Sequence, residues 1–342
     1  MSNMVEGSIL VLVDHEVDSQ EPTLTNASSK VLRLARTLTD KAVYALSLAA
    51  NPDRDALAQA GADVVLVART ADETPFCSQV PAVVTDAALA AARHIDADLS
   101  AILCVSTYNG RAIAAMLGAR LQSGASVEVS DLSVETGEGG EATLVARKSV
   151  LGGAWSTTFR IGGSIPIIAI AVGSGVDDAV RPGDAVVEPL VFTLSRGAAA
   201  VHVEESKPVD AGARINLSEA AVAVIAGRGV DGDMELVEGL ADALGAGIGA
   251  TRVACDEGWI GRAAQVGQTG VSISPKLYVG LGVSGAVHHT CGMLASEKIV
   301  AVTDDPDAPI VELADFTVIG DVADVIPQAL DVLSQAAKEA DA

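Results

Sequence analysis

Short runs of aliphatic and β-branched residues alternate with helix-period segments along the first third of the chain, and this alternation restricts the fold more than any other feature. Ser8–Val13, Tyr44–Leu48, Asp63–Val67 and Leu99–Val105 read as strands. Between them, Ser28–Thr39, a segment near Asp53–Ala60 and Val83–Ile95 read as helices, the first with Val31, Leu34, Ala35 and Leu38 on one face. Strands alternating with helices predict a parallel sheet with helices on both faces. Composition agrees, since the chain is 49% hydrophobic but only 3% aromatic, which leaves Ala, Val, Leu and Ile to build the core. A length of 342 residues predicts two domains, each able to bury its own core.

From Val127 to Leu194 the pattern changes to strands separated by Gly-rich turns at Glu138–Gly140, Gly152–Gly153 and Gly162–Gly163, which reads as β-hairpins completing the first domain. Residues 204–210 are polar and contain Pro208, so they read as a linker between a domain at 1–203 and a second at 211–342. That linker also leads to the expectation that the second domain moves to meet partners. A new cycle follows: Ala221–Ala226 as a strand, Met234–Leu244 as a helix, later strands at Leu277–Val279, Ile299–Val302 and Phe316–Ile319, and a final helix at Ala323–Lys338. No repeat of 20 to 50 residues is evident.

A formal charge of -23, from 22 basic and 45 acidic residues, opposes binding to nucleic acid or anionic lipid. The four cysteines have no C-x-x-C pairing, which supports neither a disulfide framework nor a zinc ribbon and suggests reduced thiols. The first basic residue is Lys30, and the longest apolar run, Ile165–Val172, is far shorter than the about 20 residues that span a bilayer. The expectation is a cytoplasmic protein that is not integral to a membrane.

Chemistry-bearing residues gather in the last third. Gly280-Leu-Gly282-Val-Ser284-Gly285 is a G-x-G-x-x-G run after a strand and before the helical stretch Ala286–Met293, a context in which backbone N–H groups and a helix N-terminus receive a pyrophosphate. The same glycines would also suit a structural turn, and the motif does not separate NAD from FAD. Asp304 and Asp305 end the next strand, where a ribose-binding carboxylate is expected. Gly227-Arg228-Gly229, Thr251-Arg252 and Gln265–Gly270 are polar and contribute no apolar face. His288 and His289 open the helix after the glycine run, where the dipole is expected to keep an imidazole neutral. Ser106–Arg111, after the Leu99–Val105 strand, would suit either a phosphate or a plain helix cap. There is no H-E-x-x-H, G-x-S-x-G or Walker A lysine, so hydrolysis by a triad or by zinc has no support.

Gly227-Arg228-Gly229, Gly249-Ala-Thr-Arg252, Gln265-Val-Gly-Gln-Thr-Gly270, Leu277-Tyr278, Gly282–His289 and Asp305–Pro309, in that order, resemble the α subunit of electron transfer flavoprotein over about residues 221 to 330. Asn109-Gly-Arg111 and Arg147–Gly153 resemble the same family more loosely. The resemblance implies an N-terminal parallel-sheet, nucleotide-hydrolase-like α/β domain and a C-terminal Rossmann-like FAD-binding domain. It implies FAD as cofactor and a β subunit, able to carry AMP, as heterodimer partner. Electrons would come from flavin dehydrogenases of the acyl-CoA type and go to a quinone reductase. No substrate bond is made or broken.

The same resemblance implies a role for each matching residue. Arg228 and Thr251 would approach FAD, and Arg252 would lie over the isoalloxazine, raising the flavin potential. Thr269 would bring its hydroxyl near flavin N5, with Val266, Gly267 and Gln268 lining that loop. Ser284, Gly285, Ala286, Val287 and His288 would wrap the pyrophosphate and ribityl chain, and His289 would reach the pyrimidine carbonyl. Thr303, Asp321 and Val322 would hold the adenosine end, where Thr303-Asp304 departs from the family's usual Asn-Lys. Three alternatives stand beside this reading: an electron-bifurcating, NADH-linked α subunit, an NAD(P)-binding enzyme of related fold, and a cofactor-free interaction protein.

Overall fold

The computed structural model describes residues 4–16, 22–137, 141–151, 155–177, 183–205, 216–217 and 220–340. The chain divides into two compact units, Met1–Val150 with Ser156–Pro208, and Leu151–Trp155 with Val209–Ala342. Residues 206–210 of the expected linker, and the expected turns at 138–140 and 152–153, lie outside the described residues.

The first unit runs β1 (Ser8–Leu12), α1 (Asn26–Leu38), β2 (Val43–Ser47), α2 (Arg54–Gln59), β3 (Val64–Thr70), α3 (Pro81–Ile95), β4 (Leu99–Val105), α4 (Tyr108–Leu121), β5 (Ala125–Val129), β6 (Asp131–Thr136), β7 (Ala142–Val150), β8 (Trp155–Arg160), β9 (Ile167–Ile170), β10 (Val186–Phe192) and α5 (Arg196–Ala199). Seven strands form one sheet in the order β10-β3-β2-β1-β4-β9-β5, and every neighbouring pair in it is parallel. Alternate residues of β1 feed opposite faces: Ile9 and Val11 pack under α1 with Val31 and Leu32, while Leu10 and Leu12 pack under α3 with Ala87 and Ala91. Both faces are therefore covered, as a parallel sheet requires. Caps fix the helix starts: Thr25 accepts from the N–H of Ser28, and Thr107 from that of Gly110.

The hairpin expectation for 127–194 holds only in part. β6 and β7 pair antiparallel and form a small sheet with β8, but β9 and β10 join the main sheet as parallel strands. Local periodicity identifies a strand without naming its partner.

The second unit runs β11 (Val222–Ala226), α6 (Met234–Leu244), β12 (Gly247–Ala250), α7 (Arg252–Asp256), β13 (Leu277–Leu281), α8 (Val287–Thr290), β14 (Lys298–Thr303), α9 (Pro309–Leu313), β15 (Phe316–Ile319) and α10 (Val322–Ala340). Its five-stranded parallel sheet has the order β12-β11-β13-β14-β15. Val224 and Ala226 pack against Val237, Leu240 and Ile326 of α6 and α10, while Ala223 and Ile225 meet Tyr278 and Ile310 on the other face. β12 lies on one side of β11 and β13 on the other, so the strand order reverses there. In open parallel sheets, ligands bind beyond the carboxyl ends of the strands at such a reversal.

No helix among the described residues is long and apolar enough to cross a membrane.

Candidate cofactor-binding site

Four strands of the second sheet end at one cleft. The segments after β11, β12, β13 and β14 contribute Arg228, Thr251 with Arg252, Ser284, and Thr303 with Asp304 to a cavity of about 740 Å³. That volume falls within the range of about 300 to 1,000 Å³ typical of ligand and cofactor sites. The loop at 265–270 closes one wall with Gln265, Val266, Gln268 and Thr269.

Two glycine contacts let these loops converge. Gly282 adopts a left-handed backbone at φ +61, and a Cβ there would lie 2.5 Å from the Cα of Gly229, so the turns after β11 and β13 touch backbone to backbone. Gly285, at φ +82, faces the start of α9, where a Cβ would come within 2.3 Å of the Ile310 nitrogen. Gly285 does not line the cleft. Packing against the start of α9 by itself requires glycine at this position.

The walls are stitched together by polar contacts. Val266 donates its N–H to the Ala250 carbonyl, and Gln268 donates to the His288 carbonyl, at 2.9 and 2.8 Å. His289 is buried; its Nδ1 donates to the Val266 carbonyl at 3.0 Å. Burial lowers the His289 pKa, so the ring is neutral and its Nε2 accepts from the hydroxyl of fully buried Tyr278 at 2.8 Å. The helix expected to supply this shift is only the single turn Val287–Thr290, and desolvation is the cause. Both ring nitrogens of His289 are thus engaged within the protein. The expected hydrogen bond from His289 to a flavin carbonyl would require one of these contacts to open.

Free hydrogen-bonding groups also face the cleft. Thr251 precedes α7 with a buried hydroxyl that caps nothing and has no partner among the described residues. No described residue accepts from the N–H of Ser284 or Ala286, both of which line the cleft, or from that of Gly285 between them. Among the described residues Arg228 has no ion-pair partner, and Arg252 pairs only with Asp256, through Nε at 3.3 Å. Gln265 donates from Nε2 to Thr269 Oγ1 at 2.8 Å, which leaves the Thr269 O–H to donate elsewhere. Thr303 Oγ1 accepts from the N–H of Asp305 at 3.3 Å and likewise keeps its proton free.

Of the expected site residues, Arg228, Thr251, Arg252, Val266, Gln268, Thr269, Ser284, Ala286, His288, His289 and Thr303 line the cleft. Gly267, Gly285, Val287, Asp321 and Val322 do not. Asp321 accepts from the N–H of Ala323 at the start of α10, and the Val322 side chain is buried in the core under α6. The sequence reading missed Asp231, Val253, Val283 and Ala308, which also line the cleft. Asp231 carried a weak signal as a polar residue two positions beyond Gly229; it adopts a left-handed φ of 51. Val283 and Ala308 fall inside the matching Gly282–His289 and Asp305–Pro309 stretches but were not singled out, and Val253 carried no signal, because an apolar wall residue looks like any core residue in sequence.

Comparison with known proteins decides the family. The model described as the electron transfer flavoprotein domain matches residues 9–185, and the one described as the electron transfer flavoprotein FAD-binding domain matches residues 216–294. "Electron transfer flavoprotein subunit alpha" of Mycobacterium leprae is 36% identical over 327 residues, covering 94% of this chain and 96% of that protein. This chain belongs to the electron transfer flavoprotein α-subunit family. "Protein FixB" of Clostridium saccharobutylicum is 33% identical over 326 residues, 91% of this chain and 92% of its own. "Electron transfer flavoprotein subunit alpha" of Bacillus subtilis is 34% identical over 229 residues, 65% of this chain and 66% of that protein.

As an electron transfer flavoprotein α subunit the chain is an electron carrier that pairs with a β subunit, and its second unit is the FAD-binding domain. The cleft fits such a cofactor. An orphaned buried hydroxyl, unpaired backbone N–H groups and two guanidinium groups are what a flavin with an anionic pyrophosphate can satisfy. An NAD(P)-binding enzyme is not favoured, because it leaves the Gln265–Gly270 wall unexplained.

Proposed function

We propose that this α subunit holds FAD in the cleft beyond β11–β14 and works with a β subunit able to carry AMP. It takes electrons from flavin dehydrogenases of the acyl-CoA type and passes them singly to a quinone reductase. The observation that carries this reading is that Thr251 lines the cleft from the same turn as Arg252 and has a buried hydroxyl with no hydrogen-bond partner. Four unpaired cysteines support the reducing cytoplasm as its location.

Bound FAD supplies reversible one- and two-electron chemistry, and the chain's own groups bind it and set its potential. Arg252 brings a permanent positive charge to the place where negative charge develops on reduction, which raises the potential. Thr269, held by Gln265, donates its hydroxyl proton toward flavin N5. The N–H groups of Ser284, Gly285 and Ala286 receive the pyrophosphate with Arg228. Gly267 and Val287 act through the backbone that carries Val266, Gln268 and His288. Thr303, with the backbone at Asp321 and Val322, meets the adenosine end.

Co-expression with the β subunit followed by a redox titration tests the charge assignment. Arg252→Ala should retain FAD and lower its midpoint potential; an unchanged potential would remove Arg252 from the flavin.

A further inference from the structure

Arg252 and Asp256 are the first and last residues of α7, one helical turn apart on the same face. Asp256 divides its carboxylate between two arginines: Oδ2 lies 3.3 Å from Arg252 Nε, and Oδ1 lies 2.6 Å from Arg262 Nη2. Arg252 lines the cleft, whereas Asp256 and Arg262 do not. The side chains are 70% exposed for both arginines and 39% for Asp256, and ion pairs that open to water add little to stability. Stability is therefore a poor reason for this cluster. Ala254 and Cys255, both buried, already anchor α7 to the core.

The geometry of the contact suggests a different use. Asp256 takes the inner nitrogen of Arg252 and leaves both terminal amino groups without a partner among the described residues. A guanidinium is planar, so fixing Nε fixes the plane and the direction of the remaining four N–H bonds. Arg262 in turn holds the second carboxylate oxygen and offsets its charge, so the cluster keeps a net positive charge with its free end at the cleft.

We propose that Asp256 is a positioning residue that aims Arg252 into the cofactor cleft, with Arg262 fixing Asp256. This rests on the reading that Arg252 faces the flavin. The sign of one measurement separates positioning from simple charge. Were Asp256 only a nearby negative charge, its removal would raise the flavin potential; if it aims Arg252, its removal lets the cation swing into water and lowers the potential.

The experiment is a redox titration of the FAD-loaded heterodimer in four forms: wild type, Arg252→Ala, Asp256→Ala and Asp256→Glu. The proposal expects Asp256→Ala to shift the midpoint potential in the same direction as Arg252→Ala, by a smaller amount. Asp256→Glu, which keeps a carboxylate within reach, should restore most of the wild-type value. Adding Asp256→Ala to Arg252→Ala should give no further lowering. A potential that rises or stays constant in Asp256→Ala, while Arg252→Ala lowers it, overturns the positioning role alone. A constant potential in Arg252→Ala overturns the reading beneath it as well. If Asp256→Ala loses FAD, Asp256→Asn is read by the same criteria.

Discussion

Tyr278 ties the candidate site to the core through one hydroxyl. Its ring is fully buried between β11 and α9, and its O–H ends on His289, whose other nitrogen holds the wall at Val266. Tyr278→Phe leaves His289 Nε2 buried with no donor, which should cost about 1 to 3 kcal/mol of unfolding free energy, read as a lower midpoint of chemical denaturation. An unchanged midpoint would mean that Nε2 finds another donor. Asp14, at the end of β1, makes the pH argument. More than a third of its surface is open to water, yet desolvation by the surrounding protein pushes its pKa from 3.8 up to about 6. Because the folded value is the higher one, ionisation works against folding as pH rises through this window, and the penalty is complete above about pH 6. Asp14→Asn should therefore stabilise the protein at pH 7 to 8, by about 1 kcal/mol once the residual exposure is allowed for, and should give no gain below about pH 4. Thermal melts at the two pH values check it. Places at the cleft were legible where a polar type had no place in a core, as at Arg228, Thr251 and Gln265. They were not legible for His289, because its two partners lie 11 and 23 residues away in sequence.

Among the elements, the turns after β11 and β13 decide whether the cleft exists. They meet at Gly229 and Gly282, and Gly282→Ala adds a Cβ at 2.5 Å from backbone in a left-handed conformation. That variant should fold with lower stability and lose FAD during gel filtration; full retention of FAD would show that the turns can separate without opening the site. The G-x-G-x-x-G spacing was readable because strand, tight turn and glycine pattern occur together in sequence. The helix after it shrank from the expected eight residues to the four of Val287–Thr290; the chain turns beyond it, and Gly292 packs against the Gly267 backbone while its carbonyl accepts from the Ile273 N–H. The segment at 127–194 was harder to read. β5 and β9 are parallel partners with the β6-β7-β8 sheet inserted between them, and no local signal records a pairing across so much chain.

For the whole molecule, two parallel sheets do different work. The first buries both faces of β1 beneath helices, and the second directs four loop segments to one cleft. A charge of -23 sets the outer surface against nucleic acid, while Arg228 and Arg252 line the cleft of the second unit. The division into two α/β units was visible in the alternation of strand and helix and in the composition. The cleft itself needed three dimensions, since Arg228 and Thr303 lie 75 residues apart in sequence yet line one cavity. The central claim is that this cavity holds FAD, with the Thr251 hydroxyl as one of its contacts. The most direct measurement is the flavin content of the purified α–β heterodimer, wild type beside Thr251→Val, together with the dissociation constant for FAD. The account predicts a yellow wild-type complex with equimolar FAD and about tenfold weaker binding in the variant, the loss of one buried hydrogen bond. A colourless wild-type heterodimer, or equal affinity in the two proteins, would contradict it.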